Sequence, residues 1–306
     1  MESKCKICDK SFKNDKGLHM HISKIHGVPL GEYYVNFFNK KDLHTNELLP
    51  FTNKDEYFNV DFINTENLVA WSDYAPEDEV KEYLLQRLKW RIDAKKLKYA
   101  PNTIEIQLFD LPSIDLYKRF FGSYSKACEE LNIEPLLPKN ITKDFFKENK
   151  TIDQLKILVD TREQQPLSFT KTMDMKLDFG DYTIGAPHYS YTYVDRKSES
   201  DFKSTLSSGL NRFKREIERA KEFSSFIFVV VESSIEKIIQ NNNYAPHEAN
   251  LSYVWHNTRV LSHDYRDHCQ FIFSGSRKMS QKLIPKLLFH GSKLWQTDMQ
   301  YFIDKS

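Results

Sequence analysis

Phe179-Gly180-Asp181-Tyr182, then Tyr191-Thr192-Tyr193-Val194-Asp195-Arg196-Lys197 with Asp201 four residues on, is the stretch on which the reading of the fold turns. The second run is β-branched and aromatic up to Asp195, which reads as a buried strand carrying charge at its end. Side chains alternate along extended chain, so Asp195 and Lys197 point to one side. Working outward, Lys156–Asp160, Phe226–Glu232 and Gln270–Ser274 are further short strand-like runs. Between them Phe202, Leu206, Leu210, Phe213, Ile217 and Ala220 trace one helical stripe, and Met279, Leu283, Lys286, Leu287 and His290 another. Strands alternating with helices predict an α/β domain over 141–306, built on a mixed sheet flanked by helices.

The whole chain has 306 residues, enough for two or three folded units. Its 40% hydrophobic and 14% aromatic content argues against disorder and for globular domains with sizeable cores. No apolar run is long enough to span a bilayer, and Met1–Lys10 lacks a signal-peptide core. The expected location is therefore the cytoplasm, free or on a nucleoid or in an infected host cell, or the nucleus in a eukaryote. Four cysteines, two of them only three positions apart, fit a reducing compartment. A net charge of +1 gives no global attraction for nucleic acid, so such affinity must come from local surfaces.

The front of the chain is organised differently. Cys5-x2-Cys8-x12-His21-x4-His26 has the spacing of a Cys-Cys-His-His zinc finger over 1–30, in which one structural Zn²⁺ is held by two thiolates and two imidazoles. Phe12 and Leu18 occupy the places of its small core, which predicts dependence on the metal for folding. If the finger helix docks on DNA, Asn14, Gly17 and Met20 face the bases, and Asn14 has a partner in adenine. A structural or protein-contact role is the alternative. Residues 31–75 are aromatic-rich without a sustained period and receive no fold. From Pro76 a helix begins, with Val80, Tyr83, Leu84, Leu88 and Ile92 at helical spacing. Lys81–Lys98 holds seven Lys or Arg against two acids. A second helical segment covers 114–131, and Pro135, Pro138, Lys139 and Asn140 mark an interdomain linker.

Asp160 and Asp195 at strand ends and Asp181 in Phe179-Gly180-Asp181-Tyr182, with Lys197 near Asp195, form the kind of set that holds a divalent cation against a phosphodiester. Gly180-Asp181 followed by Asp195-Arg196-Lys197-x3-Asp201 resembles the GD-x(n)-ERK-x3-D motif of the XPF nuclease family, within the wider PD-(D/E)xK superfamily. Val159-Asp160-Thr161-Arg162-Glu163 is similar to that family's VD-x-RE element. Ser208–Phe213 parallels its SL-x-GR region, with Gly209 and Arg212 no longer adjacent. The resemblance implies a restriction-endonuclease-like fold and hydrolysis of DNA with Mg²⁺ or Mn²⁺. It implies Asp181 and Asp195 as metal ligands, Asp160 as a further ligand or support, and Lys197 positioning or deprotonating the attacking water. Arg162 and Arg196 would hold the scissile phosphate or the carboxylates, Asp201 would orient the basic residues, and Arg212, Lys214 and Arg215 would track a phosphate backbone. Two copies often pair in that family.

Leu111–Cys128, with its Phe121-Gly122-Ser123 turn, resembles the helix-turn-helix repeat of phage and homing endonucleases, within a module over 76–137. The resemblance implies Ser123 as helix cap and Lys118, Arg119 and Lys126 near phosphates; a helical hairpin with a solvated face is the alternative. Asp195 stands where the XPF family has Glu. Lys293–Ser306 is too short for the tandem helix-hairpin-helix domain found after the nuclease in XPF enzymes. These features together predict a site-preferring endonuclease on double-stranded DNA, of phage or mobile-element type. A structure-specific nuclease on branched DNA and an inactive DNA-binding regulator are the competing readings.

Overall fold

A computed structural model describes residues 3–139, 151–243 and 249–305. Asn140 of the expected linker therefore lies outside the described residues. The chain forms two compact units, one of residues 1–97 and 109–132, the other of 98–108 and 133–306. The stretch 76–137 is thus shared between them. Among the described residues no helix is long and apolar enough to cross a membrane.

The first unit opens with a hairpin, β1 (Ser3–Lys4) and β2 (Ser11–Phe12), and a helix α1 (Asp15–His21) that continues as a π-turn over Ile22–His26. The uncertain stretch after it folds into three short helices, α2 (Leu30–Phe37), α3 (Lys54–Asn59) and α4 (Thr65–Ser72). Their aromatic residues extend the finger's core: Leu18 and Ile22 are buried with Tyr33, Tyr34, Leu49 and Tyr57. The finger core is therefore not as small as its own residues suggest. Helix α5 (Glu77–Lys95) buries Val80, Leu84 and Leu88 as expected, but also Arg87 and Arg91. Arg87 donates to Glu56 and to the Asn59 carbonyl, and Arg91 lies over the Phe109 ring. Part of the basic run is therefore directed inward.

In the second unit, after α6 (Thr103–Leu108), six strands form one mixed sheet. They are β3 (Lys156–Asp160), β4 (Lys171–Met175), β5 (Tyr182–Ile184), β6 (Thr192–Lys197), β7 (Phe226–Val231) and β8 (Cys269–Phe273), in the order β4-β3-β5-β6-β7-β8. β5 runs antiparallel to both its neighbours, whereas β6, β7 and β8 are mutually parallel. Alternation along β7 builds two cores. Phe226, Phe228 and Val230 pack on one face, mainly against α13 (Arg277–His290) and α14 (Met299–Ile303). Ile227, Val229 and Val231 pack on the other with α9 (Glu199–Thr205), α10 (Leu210–Glu222), α11 (Ile235–Asn243) and α12 (Leu251–Asp264). A central strand buried on both faces needs the continuous apolar run that the sequence shows here. The sheet between two helical layers agrees with the restriction-endonuclease-like class expected from sequence.

The stripe from Phe202 to Ala220 is two helices, α9 and α10, separated by Leu206–Gly209. In the first unit, α7 (Ile114–Phe121) ends at Gly122, whose φ of +81° suits glycine, and α8 (Tyr124–Glu129) begins with the Ser123 hydroxyl accepting from the Lys126 N–H.

Candidate active site

The ends of β3, β5 and β6 bring three of the sequence-derived residues together. Asp181 immediately precedes β5, and its backbone ties both neighbours: its carbonyl accepts from the Asp160 N–H at 2.8 Å and its N–H donates to the Val194 carbonyl at 2.8 Å. Gly180 makes this approach feasible. It sits at φ +68°, and a Cβ there would lie 3.1 Å from the Val194 carbonyl oxygen, so a larger residue would be strained both sterically and in its backbone.

Asp195 is 2% exposed, and its Oδ1 accepts from Lys197 Nζ at 2.6 Å. Its Oδ2 is buried with no hydrogen-bond partner. A buried carboxylate oxygen left in that state is costly, and a bound cation is one way to satisfy it. The Asp181 Oδ2 accepts from the Arg196 N–H at 2.7 Å. Burial, and then the neighbouring Asp195 charge, push the Asp181 carboxyl well above the usual carboxylate range. Burial works against the Lys197 ammonium, but the Asp195 and Asp181 charges outweigh it and raise its pKa. Lys197 is thus held by Asp195 as a hydrogen-bond donor at the cluster.

Sequence reasoning missed a fourth member, Glu216 on α10. Its Oε1 accepts from the Gly180 N–H at 2.9 Å. Burial and the Asp195 charge raise its pKa, while Lys197 and Arg219 act in the opposite direction. Three carboxylates therefore share one ammonium.

The remaining expected residues sort differently. Both oxygens of Asp160 are engaged, by the N–H and guanidinium of Arg162 and by the Leu177 N–H. Burial alone would raise its pKa, but these bonds lower it. Asp160 orients Arg162, whose side chain is 60% exposed and feels the charges of Glu216 and Asp181. Arg196 points away from the cluster, as alternation requires. It is closed between Glu163 and Glu232, with the three side chains 8%, 7% and 10% exposed. Arg277 completes this network by donating to Glu232 and to the carbonyls of Gln165 and Pro166. Arg196 is thus not placed to hold a phosphate. Arg196→Ala is expected to lower stability by about 3 kcal/mol, because the buried Glu163 loses its guanidinium partner and Glu232 keeps only Arg277; denaturant unfolding of purified protein measures it. Asp201 is likewise not among the basic residues, since it accepts from the Ser198 hydroxyl at the start of α9.

At 3.6 residues per turn, Arg212, Arg215 and Arg219 lie on the flank of α10 that carries Glu216, and Lys214 on the opposite flank. Arg212, Arg215 and Arg219 are exposed, so the cluster is bordered by positive charge. Arg219 is a second residue the sequence reading passed over.

In the first unit the ligand atoms of Cys5, Cys8, His21 and His26 lie within 4.8 Å of one another, the only such group of three or more among the described residues. The acidic cluster does not close to that spacing. Cys5 Sγ is 3.6 Å from His26 Nε2, Cys8 Sγ 3.2 Å from His21 Nε2, and the two Nε2 atoms are 3.1 Å apart. Metal bonds of about 2.3 Å to sulfur and 2.0–2.1 Å to nitrogen give a tetrahedron with edges of about 3.5 Å (S···N) and 3.4 Å (N···N), so the site fits one tetrahedral ion. The π-turn serves this fit. On a regular α-helix, residues five apart point about 140° away from each other.

Asn14, expected to read adenine, spends its Oδ1 on the Gly17 N–H as the cap of α1. A bidentate contact to adenine needs that oxygen free. In the helical module Lys126 is exposed, Lys118 half-buried, and Arg119 paired with Asp73 at 2.7 Å.

No family model matches this chain, and no curated protein matches it. Among solved structures it is similar to XPF from Aeropyrum pernix, with 21% identity and a TM-score of 0.34 over 49% of this chain and 72% of that one. It is also similar to XPF from Aeropyrum pernix in complex with DNA, with 20% identity and a TM-score of 0.34 over 44% of this chain and 64% of that one.

Proposed function

We propose that this protein is a divalent-metal-dependent endonuclease acting on DNA, with its active centre at Asp181, Asp195, Lys197 and Glu216. The observation that carries the proposal is the partnerless, buried Oδ2 of Asp195 beside Asp181. Asp181 and Asp195 would hold Mg²⁺ or Mn²⁺, with Glu216 as a third carboxylate. A divalent ion there lowers the pKa of bound water and offsets charge on the phosphate. The Lys197 ammonium, fixed by Asp195, directs hydrogen bonds toward the reacting phosphate. Arg162, held by Asp160 and mostly exposed, is placed to take a non-bridging phosphate oxygen, and Arg212, Arg215 and Arg219 to take flanking phosphates.

The Cys/His site is proposed to hold a structural Zn²⁺, its donor set being that of structural zinc centres. Recognition of duplex DNA would draw on Lys126 and Lys118 of the helical module. The finger contributes less base reading than its sequence suggests, since Asn14 is a helix cap.

Nicking of supercoiled plasmid tests the enzyme reading. Cleavage should require Mg²⁺ or Mn²⁺, stop with EDTA, and fall about 10–100-fold in Glu216→Gln, partly recovered at higher metal concentration. Plasmid cleavage equal in EDTA and Mg²⁺ would sink the proposal, and plasmid binding without nicks in any metal would favour an inactive regulator.

A further inference from the structure

Beside the amino end of α4 the first unit holds a cavity of about 360 Å³, within the range of about 300–1,000 Å³ that small-molecule sites occupy. No residue of the acidic cluster or of the Cys/His site lines it. Leu49, Val60, Phe62, Leu68, Tyr83 and Pro112 give it apolar walls, and the rings of Phe62 and Tyr83 meet edge to face with centroids 5.1 Å apart. Its ionic groups are Glu56, Glu66, Asp110 and Arg87.

These charges do not balance. Arg87 is 2% exposed and is spent on the protein itself, donating to Glu56 Oε1 at 2.9 Å and to the Asn59 carbonyl at 3.1 Å. The second oxygen of Glu56 has no partner among the described residues. Glu66 and Asp110 are exposed at the rim, and neither is ion-paired among the described residues. Three carboxylates against one guanidinium leave the lining acidic. The first turn of α4 carries the partial positive charge of a helix N-terminus, which by itself favours an anion. Here Asn64 takes the Asn67 N–H, and Glu66 supplies the negative charge from within that same turn.

We propose that this cavity binds an organic cation, an ammonium or guanidinium carried on an apolar stem. The stem replaces water against Leu49, Val60 and Leu68, and the head is drawn by the free oxygen of Glu56 and by the rim carboxylates. Phe62 and Tyr83 add to the preference, since the faces of aromatic rings attract cations and repel anions. The same charges turn away a DNA phosphate, so this site takes a ligand that nucleic acid does not supply, and it stands independently of the nuclease reading. A free amine and the Lys or Arg side chain of a bound protein share the chemistry.

The test is methyl NMR of the whole chain titrated with n-hexylammonium, hexanol and hexanoate, which share a stem and differ in the head. Hexylammonium should shift the Leu49, Val60 and Leu68 methyls saturably, with a Kd of about 1 mM for a ligand so small. It should bind at least about tenfold more tightly than hexanol, and hexanoate should leave these methyls unmoved. Glu66→Gln/Asp110→Asn changes only exposed groups, so it should keep the melting temperature and the hexanol affinity while weakening hexylammonium about 3–10-fold. Hexanoate binding as tightly as hexylammonium overturns the proposal. So does an unchanged hexylammonium affinity in the double variant, or the absence of saturable shifts at the three residues. A capped Ala-Lys-Leu tripeptide separates the two sources of the cation. Binding tighter than that of hexylammonium at the same methyls assigns the head to a partner protein's side chain, and weaker binding assigns it to a free amine; the class of ligand is upheld in both.

Discussion

Asp181→Asn is expected to melt at or above the temperature of the unaltered protein while nicking plasmid at least about 10³-fold more slowly in Mg²⁺. The two effects have one cause. Asp181, Asp195 and Glu216 face a single ammonium, and burial together with the Asp195 charge holds the Asp181 carboxyl far above its ordinary range. An asparagine keeps the shape and can still accept from the Arg196 N–H, but it removes the cost of holding an ionisable carboxyl buried beside Asp195. Each kcal/mol of that cost removed raises Tm by about 2–4 °C in a domain of this size. Asp195→Asn should lose activity to a similar extent but melt lower, since it takes the charged partner from Lys197, whose side chain is 17% exposed. Calorimetry and plasmid nicking on both variants separate the cases. If Asp181→Asn destabilises as much as Asp195→Asn, the cluster is a structural ion-pair network and the catalytic reading fails.

Such opposition between stability and activity is what a functional site produces, and it explains why the sequence showed some of these residues and hid others. Asp181, Asp195 and Lys197 were legible because two end a strand whose alternation fixes their side, and the third sits in a turn beside a glycine. Glu216 was not legible. On an amphipathic helix bearing Arg212, Lys214, Arg215, Glu218, Arg219, Lys221 and Glu222, one more acid looks like solvated surface, and only the path of α10 past Gly180 gives it meaning. The same limit concealed the burial of Arg87 and Arg91, which the sequence shows only as members of a basic run. A long side chain can bury its stem and find a partner, and composition records only its charge.

Secondary structure divides along similar lines. β3, β6, β7 and β8 carry apolar runs that only buried strands need. β4, Lys171–Met175, is exposed along its whole length, so no hydrophobic period marks it, and β5 has three residues. The gap between α9 and α10 escaped notice because Leu206 and Leu210 keep helical spacing across it. Residues 31–75 show no sustained period because three helices of eight, six and eight residues are each too short for one. Asn14 offered two roles at once, and the local one prevailed: an Asn with a free helix N–H three residues later is a cap before it is a base reader.

Removing the ion proposed for Cys5, Cys8, His21 and His26 is expected to unfold more than the finger. The finger is tied to α2 and α3 by the Lys6 N–H donating to the Tyr33 hydroxyl, by His19 at 2.8 Å from the Tyr34 hydroxyl, and by Lys54 at 2.8 Å from Asp15. Its Leu18 and Ile22 share a core with Tyr33, Tyr34, Leu49 and Tyr57. Structural zinc contributes about 10–16 kcal/mol to isolated finger peptides, and the shared core here offsets part of that dependence. Cys8→Ala is the informative substitution because Cys8 is exposed, so its loss removes a ligand without opening a cavity. In calorimetry it should lower the transition of the first unit by at least about 10 °C and release about one zinc per chain by elemental analysis. Hydrogen exchange should then quicken from residue 3 to about residue 60 while β7 and β8, packed in their own cores, keep their protection. Metal loss without faster exchange in α2 and α3 would mean that the aromatic core holds this region unaided, and that the ion serves recognition and not folding.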